Sequence, residues 1–149
     1  MNLYLASDHG GYQMKEKLKA YLAGRGLAVV DMGPEGLNPA DDYPYYALAV
    51  AKAVAAEVGS LGILLCRSGQ GVCIVANKVD GVRAALAWQP DVAEAARRDD
   101  HVNVLCLPSD YISFEQAQAM VEVWLKTEPG PQPRYLRRLR EIQAIEQEN

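Results

Sequence analysis

Short β-rich runs alternate with helical segments along nearly the whole chain, and this alternation constrains the fold more than any other feature. The predicted strands are Asn2–Ser7, Ala28–Asp31, Gly62–Cys66, Arg83–Ala87 and Asn103–Leu107. The predicted helices are Gly11–Ala23, Tyr45–Glu57, Val72–Lys78, Asp91–Arg98 and Ser113–Lys126. The strands are continuously apolar, which is typical of burial on both faces, and the helices are long enough to cross back over a parallel sheet. The pattern therefore predicts an α/β fold, a three-layer α/β/α sandwich with a five-stranded parallel sheet.

The size and charge of the chain indicate a single domain and argue against nucleic-acid binding. A chain of 149 residues with 50% hydrophobic and 23% charged residues fits a single domain, residues 1–149. Its net charge of −4 and pI near 5.2 give no general attraction to nucleic acid. No apolar run approaches the roughly 18 residues that span a bilayer, and the N-terminus lacks a signal-peptide pattern. We expect a cytoplasmic protein with neither nucleic-acid nor membrane partners.

The cysteines, histidines and glycines argue against a metal or an organic cofactor. Cys66, Cys73 and Cys106 form no CxxC pair, and only His9 and His101 could supply imidazole ligands. The turn from Gly69 to Gly71 is only a GxG, and no GxxxxGK[ST] loop occurs. We therefore expect metal-free chemistry without a nucleotide cofactor.

Polar residues gather at the ends of the predicted strands, where sites form in such sheets. After the first strand comes Ser7–Gly11, after the third comes Cys66–Gly71, and Asp99–His101 precedes the fifth. The glycine turn opens a helix, so its N–H groups could hold an oxyanion.

Two residues beside these turns have alternative interpretations. Proximity to the helix start and to Arg67 would favour the thiolate of Cys66 and make it a base or nucleophile, although a buried structural cysteine is equally ordinary. His9 is either a turn residue or a ligand for an anion, whereas His101 is more typical of an exposed helix end.

The C-terminal segment predicts a helix set apart by a stiff connector. Prolines at positions 129, 131 and 133 end the preceding helix, and a helix from Tyr135 to about Glu146 follows. Its apolar stripe consists of Leu136, Leu139, Ile142 and Ile145. This stripe must pack on its own domain or across a dimer interface. Arg134 and Arg138 share one face, which suits either a solvated surface or a clamp on a small phosphate.

Several motifs together resemble a known family. They are Ser7-Asp8-His9-Gly10-Gly11, Asp42-Tyr43-Pro44, the run LLCRSGQGVCIVANK from Leu64 to Lys78, Asn103–Leu105 and Ala144–Gln147. The chain resembles the ribose-5-phosphate isomerase B family, which includes the galactose-6-phosphate isomerase subunits. The resemblance implies a Rossmann-like homodimer, or a tetramer of two such dimers, that interconverts an aldose phosphate and a ketose phosphate through a cis-enediolate without cofactor.

The resemblance also implies roles for individual residues, in a site drawn from both subunits. Cys66 would be the base, Ser68 would assist at the sugar hydroxyls, and the N–H groups of Gly69, Gln70 and Gly71 would hold the enediolate oxygen. Asp8 and Tyr43 would contact the sugar. His9, Arg134 and Arg138 would contact the phosphate, with the arginines supplied by the partner through a helix at about 134–147.

Three departures from the family pattern affect the expected substrate. Asp99 and Asp100 stand where the family commonly has a His-Asn pair, so ring opening would fall to Asp99, if mutual repulsion raises its pKa, or to His101, with Asp100 near the substrate. Asp110 replaces an arginine on the phosphate. Arg67 replaces a glycine beside the base.

These departures lead to one hypothesis and two alternative functions. We expect Arg67 to have an acidic partner within the site, Asp99 first, then Asp100 or Asp110. The alternatives are a divergent isomerase that acts on a different sugar, with or without a phosphate, and a non-catalytic sugar-phosphate-binding protein.

Overall fold

All five predicted strands form one parallel sheet in the computed structural model, which describes residues 1–149. They are β1 (Leu3–Ser7), β2 (Val29–Asp31), β3 (Leu61–Cys66), β4 (Ala84–Leu86) and β5 (Val104–Pro108). Their order across the sheet is β2-β1-β3-β5-β4. Each of the six residues of β3, the central strand, is buried, as its continuous apolar run predicts. The expected parallel sheet is therefore confirmed.

Six helices surround this sheet. They are α1 (Tyr12–Gly24), α2 (Tyr43–Ala56), α3 (Gln70–Ala76), α4 (Pro90–Asp100), α5 (Phe114–Lys126) and α6 (Pro133–Glu148). Helices α1, α4 and α5 share one core with Leu5, Ile63 and Leu105. Helices α2 and α3 share a second core with Leu64 and Cys106, whose side chains alternate with the first set along β3 and β5. These two sets of helices form the outer layers of the expected α/β/α sandwich, and each core lies between one set and the sheet.

Helices α2 and α3 begin earlier than the sequence predicts. Helix α2 starts at Tyr43 because Pro44 fits the first turn of a helix, where its missing N–H is not needed. Helix α3 starts at Gln70 because Gly69 adopts the left-handed conformation, with φ +71°, and ends the preceding turn. Both changes place these segments at helix starts on the carboxyl edge of the sheet.

Helix α6 packs only partly against its own protomer. Tyr135 is its one buried residue, whereas Leu136, Ile142 and Ile145 remain exposed. A gap of about 430 Å³ separates its C-terminal half from the segment around Val82 and Val102. No helix in the protein combines the length and apolar character needed to cross a membrane.

A buried lysine fixes the segment that precedes α2. The Lys15 side chain is fully buried, and its Nζ donates to both carboxylate oxygens of Asp31 and to the carbonyl of Pro34, each at 2.9 Å. Lys19 also contacts Asp31, at 2.6 Å. This cluster joins α1 to the end of β2 and holds the start of the loop that leads to Asp41.

Replacing Lys15 with methionine tests the importance of this cluster. We expect Lys15→Met to lower the free energy of unfolding by about 1–3 kcal/mol, because a charged hydrogen-bond donor is lost while Lys19 still neutralises Asp31. Urea unfolding at pH 7 measures the change. Lys52→Met, at an exposed position of α2, is the control and should stay within about 0.5 kcal/mol of wild type. Equal stability of the two variants would contradict the assigned role of Lys15.

Candidate active site

A crevice opens at the carboxyl ends of β1 and β3 because the helices that follow these neighbouring strands leave on opposite faces of the sheet. The loop after β1, Ser7–Gly11, therefore faces the turn after β3, Cys66–Gly69. The N–H of Asp8 donates to the carbonyl of Leu65 at 3.3 Å, which ties the two segments together. The predicted polar residues of both strand ends thus lie side by side.

Cys66 ends β3 inside this crevice and is 5% exposed. The N–H of Gly69 points at its sulfur, with N to Sγ at 3.1 Å. Gly69 has no room for a side chain, since a Cβ would lie 2.5 Å from Leu86 Cδ1. The glycine is required both for the left-handed turn and for the close approach of the backbone to the sulfur.

The other N–H groups of the glycine turn are not all free. The N–H of Gln70 donates to Ser68 Oγ at 3.3 Å, as that of Gly69 donates to Cys66. The binding of a substrate oxygen by the N–H groups of Gly69, Gln70 and Gly71 stays a prediction, and the first two of these groups also have acceptors within the protein. The ring of Tyr43 lies against Gly71, where an added Cβ would be 2.5 Å from Tyr43 Cζ. This packing brings Tyr43 to the start of α3.

In the loop after β1, His9 contacts the buried carboxylate of Asp41. Asp8 is buried, and its Oδ1 accepts the N–H of Gly11 at 3.1 Å. Asp41 Oδ1 contacts His9 Nδ1 at 2.7 Å and accepts the His9 backbone N–H at 2.9 Å. The hydrogen bond to Asp41 raises the pKa of His9 above its ordinary value of 6.5. The pair leaves His9 Nε2 as the ring nitrogen directed away from Asp41.

Asp41 is the functional residue that the sequence analysis missed. Its side chain is 5% exposed, and its Oδ2 has no hydrogen-bond partner in the protomer. The available signal was the doubled Asp41-Asp42 before Tyr43, of which only Asp42 belongs to the motif described above. No local spacing links position 41 to position 9, because the contact crosses from the loop before α2 to the loop after β1.

Arg67 pairs with Asp110, so the choice of Asp99 as its first acidic partner is wrong. Arg67 Nη1 lies 3.4 Å from Asp110 Oδ2, and the N–H of Asp110 donates to the carbonyl of Arg67 at 2.9 Å. Both side chains line a cleft of about 350 Å³ together with His9, Gly10, Gln13, Leu37 and Pro39. Arg67, which lines this cleft, follows Cys66 directly in the chain. No three His, Cys, Asp or Glu side chains meet where they could hold a metal ion.

Comparison with known proteins agrees with this geometry. A family model described as Ribose/Galactose Isomerase matches residues 3–142. The chain is 41% identical over 148 residues to the probable ribose-5-phosphate isomerase B of Mycoplasma pneumoniae, covering 98% of this chain and 95% of the relative. It is 39% identical over 142 residues to ribose-5-phosphate isomerase B of Escherichia coli, covering 94% and 93%.

The chain belongs to the ribose/galactose isomerase family.

Solved structures of this family superpose closely on the chain. The ribose-5-phosphate isomerase B of Mycoplasma genitalium, solved with bound ribulose-5-phosphate, matches with a TM-score of 0.95 at 39% identity, covering 99% of this chain and 97% of that one. The enzyme of Clostridium thermocellum matches with a TM-score of 0.94 at 36% identity, covering 99% of each chain. The architecture of the family is therefore that of the sheet and helices described above.

One group of predicted site residues lies at the other edge of the sheet from Cys66. Its members are Asp99, Asp100, His101, Arg134 and Arg138. Cys66 is level with Pro108 at the end of β5, whereas α4 ends before Val104 at its start. The four steps of strand between them span about 13 Å at roughly 3.3 Å each. A single protomer of this isomerase fold therefore does not bring the group to Cys66.

Asp99 is also unsuited to donating a proton in this protomer. Its Oδ1 lies 2.8 Å from Arg98 Nε, and the Arg98 guanidinium holds the pKa of Asp99 below its usual value. The expectation that Asp99 and Asp100 raise one another's pKa is wrong for Asp99, because the arginine outweighs the adjacent carboxylate. His101 ends α4 in the left-handed conformation, with Nε2 2.8 Å from the carbonyl of Gly130.

Removing the Asp41 charge should change the titration of His9. We expect the pKa of His9 to fall toward 6.5 in Asp41→Asn, because a neutral amide stabilises imidazolium less than a carboxylate does. The raised pKa means that the charge of His9, and the stability it contributes, are present at low pH and lost as pH rises through the folded-state pKa. NMR titration of the His9 ring protons measures the shift. Asp42→Asn is the matched control, and an equal shift in both variants would contradict the role of Asp41.

Proposed function

We propose that this family member is an aldose–ketose isomerase that interconverts ribose 5-phosphate and ribulose 5-phosphate, with Cys66 as the base. The observation that carries the proposal is the position of the Cys66 sulfur at the carboxyl ends of β1 and β3. There the N–H of Gly69 approaches the sulfur at 3.1 Å. The names of the relatives and the ribulose-5-phosphate bound to the Mycoplasma genitalium enzyme support this substrate pair.

The proposed chemistry moves one proton between adjacent carbons. The Cys66 thiolate takes the proton from C2 of the open-chain aldose, and the C2 electron pair forms the double bond of a cis-enediolate as the carbonyl oxygen at C1 becomes anionic. Cys66 then returns the proton to C1 as the carbonyl forms at C2, and the proton on the C2 oxygen passes to the C1 oxygen through Ser68 at the sugar hydroxyls. Ser68 and the N–H groups around Gly71 stabilise the developing oxygen charge. No electron leaves the substrate, so the proposal includes no cofactor.

The remaining protomer residues bind the sugar phosphate around this centre. Asp8 and Tyr43 contact the sugar hydroxyls from the two sides of the glycine turn. His9, whose pKa is raised by its hydrogen bond to Asp41, presents its free ring nitrogen to the phosphate and is protonated at higher pH than an ordinary imidazole. Residues 1–149 act as one domain in this proposal.

A second protomer completes the site and supplies the groups that lie too far from Cys66. The exposed face formed by Leu136, Ile142 and Ile145 supports a homodimer in which α6 packs on the partner. Arg134 and Arg138 of that helix would then reach the phosphate. His101 Nε2 donates to the Gly130 carbonyl, so the donor for ring opening would be Nδ1 of the imidazolium form, with Asp100 next to it in the chain.

The ionised Asp99 supports one alternative function. A carboxylate fixed by Arg98 cannot replace a ring-opening acid, so a protein in which His101 also fails would bind sugar phosphates without turning them over. Binding would then raise the melting temperature while the ribose 5-phosphate signal stays constant.

The cysteine base is tested by substitution. We expect Cys66→Ala to lower kcat for ribose 5-phosphate by about 100-fold to 10,000-fold, the usual contribution of a general base. Coupled measurement of ribulose 5-phosphate gives the rate. Cys73→Ala is the matched control, because Cys73 is half-buried in the same core and hydrogen bonding with Cys106 lowers its pKa to about 7. A greater loss of kcat in Cys73→Ala than in Cys66→Ala would contradict the assignment of Cys66 as the base.

Mixed dimers test whether the site is shared. Cys66→Ala and Arg138→Ala proteins are each expected to be nearly inactive alone. After unfolding and refolding together in equal amounts, they should recover about a quarter of wild-type activity, because half of the dimers are mixed and each mixed dimer holds one intact site. Activity of the mixture no higher than the average of the two parents would place the whole site within one protomer.

A further inference from the structure

Arg67 occupies an unusual path across the loop after β1. A Cβ added to Gly10 would lie 2.4 Å from Arg67 Cγ and 3.3 Å from its Nε, so the arginine stem lies directly over the glycine backbone. The guanidinium then reaches the 350 Å³ cleft that His9 lines from the other loop. Gly10 therefore gives Arg67 access to the same space as His9.

Asp110 holds the guanidinium without using up its hydrogen-bonding capacity. The single side-chain contact, from Nη1 to Asp110 Oδ2, is 3.4 Å long, and the two side chains are 63% and 44% exposed. Such an exposed pair adds little stability by itself. The backbone instead fixes the two residues, through the 2.9 Å bond from Asp110 N–H to the Arg67 carbonyl and the 3.0 Å bond from Ser109 N–H to the Cys66 carbonyl. Four of the five guanidinium N–H groups remain for a ligand.

The charges of this cleft suit a dianion. Arg67 faces it as a cation beside Asp110, and His9 faces it beside Asp41, whose hydrogen bond raises the pKa of His9. Arg67 therefore neutralises Asp110, which alone would repel a phosphate. A free sugar would leave the guanidinium without an anionic ligand, whereas a phosphate offers this planar group two acceptor oxygens.

We propose that Arg67, positioned by Asp110, binds the phosphate group and sets the preference of the site for phosphorylated over free sugars. This inference rests on the proposed isomerase function and specifies its substrate class. Arg67 contacts the ligand, and Asp110 acts as a positioning residue. The phosphate thereby gains a cation from the same protomer that supplies Cys66.

The test compares ribose 5-phosphate with free ribose in kinetics and in binding. We expect Arg67→Gln to raise KM for ribose 5-phosphate by about 10-fold to 100-fold, with a smaller change in kcat, because a charged hydrogen bond to phosphate is lost. The ratio of kcat/KM for the phosphate to kcat/KM for free ribose should fall by a similar factor. Arg67→Lys should restore part of the ratio, and Asp110→Asn should change it less than Arg67→Gln does.

Arg25→Gln is the matched control, since Arg25 is 51% exposed and pairs with a single acid, Glu122, at the end of α1. Calorimetric binding of ribose 5-phosphate to Cys66→Ala protein, with and without Arg67→Gln, separates this inference from the proposed function. Binding that weakens 10-fold or more supports the role of Arg67 even if wild type has no isomerase activity. An unchanged selectivity ratio or dissociation constant in Arg67→Gln would overturn it, and so would an equal effect in Arg25→Gln.

Discussion

The candidate site depends on β1 and β3 being neighbours whose following helices leave on opposite faces of the sheet. This reversal is what separates α1 from α3 and leaves a crevice above the two strand ends. The backbone bond from Asp8 to Leu65 fixes the relative height of the two loops. The imidazole of His9 and the guanidinium of Arg67 then line one cleft, beside the strand end that carries Cys66.

Cation–carboxylate pairs arrange this crevice for an anion in a protein with a net charge of −4. Lys15 and Asp31 anchor the start of the loop that carries Asp41, and Asp41 in turn holds His9. A carboxylate beside each cation fixes its position, and Asp41 also raises the pKa of His9. The carboxylates of Asp41 and Asp110 thus act in positioning, while His9 and Arg67 line the cleft.

The sheet and the first five helices could be predicted from sequence because continuous apolar strands and Ala-rich helices carry their own periodic signals. The loops at Cys66 and His9 could be located because they follow strands. The contact of Asp41 with His9 could not, since it joins loops far apart in sequence, and Asp110 could be predicted only as one of three candidate acidic partners of Arg67. Helix α6 was predicted as well. Its apolar stripe from Leu136 to Ile145 does not show which surface it packs against, because that surface lies outside the helix.

Solvent deuterium incorporation tests the account most directly. Ribose 5-phosphate and wild-type protein are incubated in D2O, and NMR follows the C2 proton of the aldose as ribulose 5-phosphate forms. Transfer of the proton through the Cys66 thiol, which exchanges with solvent, predicts deuterium at C2 of the recovered aldose and at C1 of the ketose. Deuterium incorporation that continues at the wild-type rate in Cys66→Ala protein would contradict the cysteine-base mechanism.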